Sequence, residues 1–155
     1  MEQPFLQPTQ QPLRAAPKLL LLAIAAVALI GFSDATYLAA KFYQGVPPPC
    51  SLLEGCEVVT TSQYATVGGI SVALLGAIYY LAVLVISIAI IDTKNDRLKK
   101  FLAGFSVIGL LASIWFISLQ LFVLKALCLY CLVSAFSSTA IFLTAFFLKK
   151  DIVAR

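Results

Sequence analysis

From Phe101 to Leu148 the chain carries a single charged side chain, Lys125. As one α-helix this tract would run roughly 70 Å, more than twice the ~30 Å hydrocarbon core of a bilayer. It therefore has to reverse, and the natural place is near Lys125. That predicts one helix over Phe101–Leu124 and another over Ala126–Leu148. Two more apolar runs of spanning length lie upstream, Leu19–Ala40 and about Gly68–Ile91. The chain is 61% hydrophobic and 12% charged, against about 45–50% and about 25% in soluble domains, so lipid is the solvent it fits. The expected fold is an all-α membrane protein, a bundle of four transmembrane helices without internal repeat. Residues 19–148 form its single folded domain. Residues 1–18, rich in Gln and Pro, are expected to be a disordered tail, and residues 149–155 a second tail.

The basic residues set a direction. Arg14 and Lys18 precede the first span. Lys94, Arg97, Lys99 and Lys100 lie between the second and third, and Lys149, Lys150 and Arg155 follow the fourth. In an even-span bundle these segments share one side, which predicts that both termini are cytoplasmic and that the loop of roughly 41–67 lies outside. Only Lys41 and Lys125 fall on the outer side. The first apolar run is long for a cleaved signal peptide, and its removal would set the basic segments at odds, so it is read as a span. A net charge of +4 without a basic stripe argues against nucleic acid as a partner.

Four cysteines and no histidine are present. Without histidine the commonest general base and metal ligand are missing, and the chemistry falls to thiols, carboxylates, hydroxyls or a bound cofactor. Cys50 and Cys56 stand in PPPCSLLEGCEVV, in the outer loop, where a pair can move and meet a partner. Cys128 and Cys131 form CLYC in the first turns of the fourth helix, which starts outside. A topology drawn from lysines and arginines alone thus puts all four thiols on the oxidising face of the membrane. At a helix N-terminus the macrodipole favours thiolate, with Lys125 nearby to add to the effect. Such a thiol is a good leaving group in exchange. Three plainer roles for the cysteines stay open on these features alone. Two structural disulfides would account for an even count, although a CxxC bond closes too short a loop to staple much. Zinc uses paired cysteines, but a site half in lipid would be unusual, and no metal is expected. Buried inert thiols are a third reading.

The order of motifs is an outer Cys-x5-Cys, SQYA, GGISVALLG opening the second span and CLYCLVSA opening the fourth, with GFSDATYL late in the first. It resembles the bacterial branch of the vitamin K epoxide reductase family over about residues 19–148. The resemblance implies a four-helix bundle around a quinone (menaquinone, ubiquinone or phylloquinone). It also implies Cys50 and Cys56 as shuttle, Cys128 and Cys131 as the active pair with Cys131 facing the quinone, and Ser62 near the quinone ring. The segment Glu57 to Thr66 would cap the bundle. The chain departs from its relatives at Ser71, where bacterial members read proline in GIP. It departs from the vertebrate enzymes at Ala135, where those carry a tyrosine, and their pocket asparagine has no clear match, Val72 standing near that position, so vitamin K epoxide itself is not the expected substrate. The thioredoxin-like domain fused to many bacterial members is missing, which implies a separate extracytoplasmic thioredoxin-like thiol protein as partner.

The expected activity is therefore a quinone-dependent thiol/disulfide oxidoreductase in the inner (plasma) membrane, with its active site on the periplasmic side. Electrons would pass from the partner to Cys50/Cys56, then to Cys128/Cys131, then to the quinone, in support of disulfide formation. Asp34, the one ionisable residue well inside a span, is a functional candidate by default. Gln120 is a candidate quinone contact. Tyr79, Tyr80 and Trp115 read as packing residues. Two competing possibilities are a different four-helix membrane disulfide oxidase, which carries its CxxC pair in the first outer loop, and a non-enzymatic scaffold or transporter subunit with structural disulfides.

Overall fold

The computed structural model describes residues 16–49 and 55–153. Its main elements are α1 (Ala16–Gln44), α3 (Val72–Thr93), α4 (Asp96–Ser118) and α5 (Leu129–Val153). The short α2 (Cys56–Thr60) and a pair of two-residue strands, β1 (Thr66–Val67) and β2 (Ile70–Ser71), lie between α1 and α3. All four long helices are long and apolar enough to cross a membrane. The 22 residues of α3 rise about 33 Å, enough for the hydrocarbon core. The predicted tail 1–18 falls mostly outside the described residues; of it, 16–18 are already helical.

Large apolar side chains point outward on every span, among them Leu29, Ile88, Trp115 and Phe136. In water such a surface would associate, whereas in lipid it is ordinary. Trp115, read as core from the sequence, is 63% exposed and therefore faces lipid. A mid-span position cannot tell the two sides of a helix apart when both are apolar. The interior is made of Ile24, Ala28, Val83, Leu102 and Ile141, with small residues where helices touch. Gly109 of α4 lies against the Tyr79 ring, where a Cβ would overlap it, and a Cβ on Gly76 would just touch the Ala35 methyl at 3.7 Å. Without a hydrophobic drive between helices in lipid, such close approach and the dispersion it allows hold the bundle together. Several serine and threonine hydroxyls inside the spans are satisfied on their own helix. Ser87 donates to the Val83 carbonyl at 2.7 Å and Thr144 to Ala140 at 2.7 Å, the local answer to a solvent that offers no partners.

The turns explain the helix ends. Lys94 adopts the left-handed region at φ 52° and ends α3, and the Asn95 side chain then caps α4 by accepting from the Arg97 N–H at 2.9 Å. Gly68 and Gly69 both have positive φ and turn β1 back on β2. This is why the second span begins at Val72 and not at Gly68 as the apolar run suggested. The long tract reverses where predicted. The end of the third span loosens into a π-helix over Leu119–Leu124, and Lys125 at φ 49° breaks it. The Ala126 N–H closes the end on the Gln120 carbonyl at 3.1 Å.

Candidate active site

The segment after Lys125 is where the chemistry gathers. Cys128 does not lie in the first helical turn, where the sequence puts it, but immediately before it. Its carbonyl accepts from the Leu132 N–H at 3.0 Å, so it is the N-cap of α5. Its sulfur stands where a capping oxygen would, facing the backbone N–H groups of Cys131 and Tyr130. Its own N–H donates to Gln120 Oε1 at 2.8 Å. Cys128 and Cys131 are free thiols, Cys128 buried and Cys131 half-buried. A hydrogen bond from the Cys131 thiol holds the Cys128 pKa below the ordinary thiol range. The capping N–H groups help, burial opposes them, and the nearby Asp34 carboxylate opposes them weakly. Lys125 is exposed and serves the turn through its backbone.

The sign of this shift gives a prediction. A depressed thiol is ionised at lower pH than a free one. Replacing Cys131 with alanine deletes the largest favourable contact, so the Cys128 thiolate should appear only at higher pH. With Cys50 and Cys56 replaced by serine so that Cys128 stays unbonded, ultraviolet thiolate absorbance followed against pH should show the midpoint moving upward; an unmoved midpoint would mean that the helix end alone holds the charge.

The chain between α1 and α3 sits on this segment from both sides. On one arm, the Tyr130 hydroxyl donates to the Pro49 carbonyl at 3.4 Å, and the Tyr130 ring packs 5.4 Å from that of Tyr37. On the other, Gly55 lies directly on the backbone of Leu127, where a Cβ would come within 2.6 Å of both its N and its O. Cys56 follows, fully buried and disulfide-bonded. Cys50 lies outside the described residues. The fold thus brings Cys56 onto the stretch that carries Cys128, a juxtaposition that the sequence implied only through its topology.

Below the loop is a cavity of about 350 Å³, within the size range of small-molecule sites. Its roof is the end of α2 and the segment after it, with Val59, Thr60, Ser62, Tyr64 and Val67. Its walls are α1, α3, α4 and α5, and Cys131 opens into it. The surface is mostly apolar, with a few polar groups from Ser62, Gln120, Tyr80, Ser134 and Ser138. An apolar hollow with a few polar handles beside a thiol suits a flat quinone ring with two carbonyls.

The candidates divide. Ser62 lines the cavity and donates to the Val59 carbonyl at 2.8 Å. Gln120 also lines it and is 2% exposed, yet its amide oxygen is spent on Cys128. That bond fixes the backbone of Cys128. Replacing Gln120 with leucine should therefore lower thermal stability, by roughly 1–3 kcal/mol for the orphaned N–H, while Gln120→Glu, which keeps an acceptor, should lose less. A calorimetric scan of the two variants distinguishes this from a role confined to the cavity, which would leave stability unchanged. Asp34 stands apart from the cavity lining. It is half-buried on α1 with one carboxylate oxygen buried and without a hydrogen-bond partner.

Two residues read as packing groups turn out to border the cavity. The Tyr80 hydroxyl donates to the Ser134 carbonyl at 2.5 Å. Tyr79 presses on Gly109 of α4, and its hydroxyl is buried and without a partner. The available signal was the pairing of each tyrosine with a glycine on a neighbouring helix, which no single-helix pattern displays.

The sequence model of one family, described as the vitamin K epoxide reductase family, matches residues 22–146 of the chain. No curated protein matches it.

Proposed function

The chain belongs to the vitamin K epoxide reductase family, and on that premise we propose that this multi-pass membrane oxidoreductase relays electrons from an extracytoplasmic thioredoxin-like protein to a quinone. The observation that carries the reading is the stacking of three parts along one line. These are a disulfide-bonded loop cysteine seated on the segment of Cys128, a free CxxC pair, and an apolar cavity into which only the second cysteine of that pair opens.

In this reading residues 19–148 are the catalytic domain. The CxxC end faces the periplasm across the inner membrane, and residues 1–18 and 149–155 lie in the cytoplasm. A reduced thiol partner opens the disulfide of the loop pair Cys50/Cys56 and leaves oxidised. The Cys56 thiolate then attacks the Cys128 sulfur of the Cys128–Cys131 disulfide, and Cys131 leaves as thiolate. Resolution by Cys50 restores the loop disulfide and frees Cys128, whose depressed pKa makes it a good leaving group. A bound quinone supplies the acceptor for two electrons and two protons. Cys131 borders the cavity to deliver them, and re-forming the Cys128–Cys131 bond completes the balance. Ser62 and Gln120 orient the ring from the roof and the α4–α5 turn, and Asp34 holds a proton beside the pair. The candidates for the quinone are menaquinone, ubiquinone and phylloquinone.

The test is anaerobic turnover by the purified protein with a thioredoxin-like donor, each cysteine replaced in turn. Stoichiometric quinol formation that disappears with any of the four is expected. No quinol from the wild-type protein, and no quinone in a solvent extract of it, would instead favour a scaffold.

A further inference from the structure

Cys128 has no exposed surface, although the loop above it is the way in for an external reductant. The cover is close at hand. Gly55 rests on the Leu127 backbone with no room for a Cβ, at 2.6 Å from N and O and 3.0 Å from the Ala126 carbonyl carbon. Backbone atoms cannot swing aside as a side-chain tip can, so only glycine lets α2 come down this far. The α2 turn is held in shape from within, the Thr60 hydroxyl donating to the Cys56 carbonyl at 2.7 Å. On the other arm, Tyr130 holds Pro49.

We propose that Gly55 is a positioning residue which seats α2 on the α4–α5 turn, and that this seat does two things at once: it delivers Cys56 to Cys128 and shuts out every other thiol. The inference rests on the relay proposed above. It adds that Cys56 is the obligatory donor because the same contact that aligns it also covers its target. Direct reduction by a small dithiol would balance chemically. The dithiol becomes a cyclic disulfide, and the Cys128–Cys131 bond takes up two electrons and two protons. The seat prevents this by access, not by energetics.

The two roles give opposite signs in one experiment. Gly55→Ala forces α2 off the turn. With the protein thiol donor, quinol formation should fall at least tenfold, because Cys56 is displaced. In a Cys56→Ser background, where the loop cannot donate, dithiothreitol should drive little turnover, and adding Gly55→Ala should raise that turnover at least tenfold. A merely destabilising change would lower both rates. A second readout needs no quinone. In a protein carrying Cys50→Ser, Cys56→Ser and Cys131→Ala, where Cys128 is the single cysteine left, a water-soluble maleimide should label Cys128 slowly, and Gly55→Ala should speed labelling at least tenfold. Rapid labelling with Gly55 intact, or no acceleration on its replacement, would overturn the proposal. If the wild-type protein reduces no quinone but the labelling contrast holds, the relay is wrong and the seat stands.

Discussion

Replacing Cys131 with alanine should reduce quinol formation at least about a thousandfold, the scale on which loss of a reacting nucleophile is felt. Among the described residues Cys131 is the one thiol that opens into the cavity, and Cys128, fully buried under the loop, cannot substitute for it from behind. The lesion should also leave a signature. In the variant, Cys128 keeps its place beside Cys56, which is disulfide-bonded. The Cys128 thiolate attacks the Cys56 sulfur, a Cys56–Cys128 bond forms, and the former partner of Cys56 leaves as a thiol. Once that released thiol is alkylated and can no longer reverse the exchange, this bond should accumulate and appear on peptide mapping without reductant. Replacing Cys128 should abolish turnover without that cross-link. Wild-type rates in the Cys131→Ala protein would remove the cavity from the electron path.

Much of this arrangement is legible in the residues themselves. The 48 positions from Phe101 to Leu148 with one charge cannot span once, so the reversal at Lys125 follows from bilayer thickness. The four spans follow from length and polarity. The fine structure of the reversal does not follow. Nothing in LQLFVLK announces a π-helix or a left-handed lysine, because both are imposed by how α4 and α5 meet. That same detail moves Cys128 from the first helical turn to the N-cap, where its sulfur meets backbone donors. It also makes Gln120, which lines the cavity, the acceptor for the Cys128 N–H. The place of the tyrosines is hidden for a related reason. In an all-apolar helix the cavity face and the lipid face have the same composition, and only contacts between helices distinguish Tyr80, 2% exposed, from Ile78, 57% exposed.

The physical division of labour is therefore between the ends and the middle of the bundle. At the outer end, backbone groups freed by broken helices hold and tune sulfur. In the middle, small residues allow helices to close around the cavity.

That middle can be tested at Gly31. A methyl there would lie 2.5–2.7 Å from three carbons of the Tyr80 ring. The ring is buried, and its hydroxyl is fixed on Ser134, so it has no free direction in which to yield. Helix propensity alone would favour Gly31→Ala by about 0.8–1.0 kcal/mol. Overpacking costs about 1–3 kcal/mol, and a displaced hydroxyl that loses its bond costs about 1 kcal/mol more. The steric term wins, and Gly31→Ala should lower the unfolding temperature in detergent. It should also raise the quinone concentration needed for half-maximal turnover, because Tyr80 forms part of the cavity wall. Tyr80→Ala removes the obstruction, so in the double variant the penalty of Gly31→Ala should vanish and its propensity gain emerge, a coupling that a double-mutant cycle reads directly. Stabilisation by Gly31→Ala with Tyr80 intact would show that α1 and α3 do not approach as closely as the cavity requires.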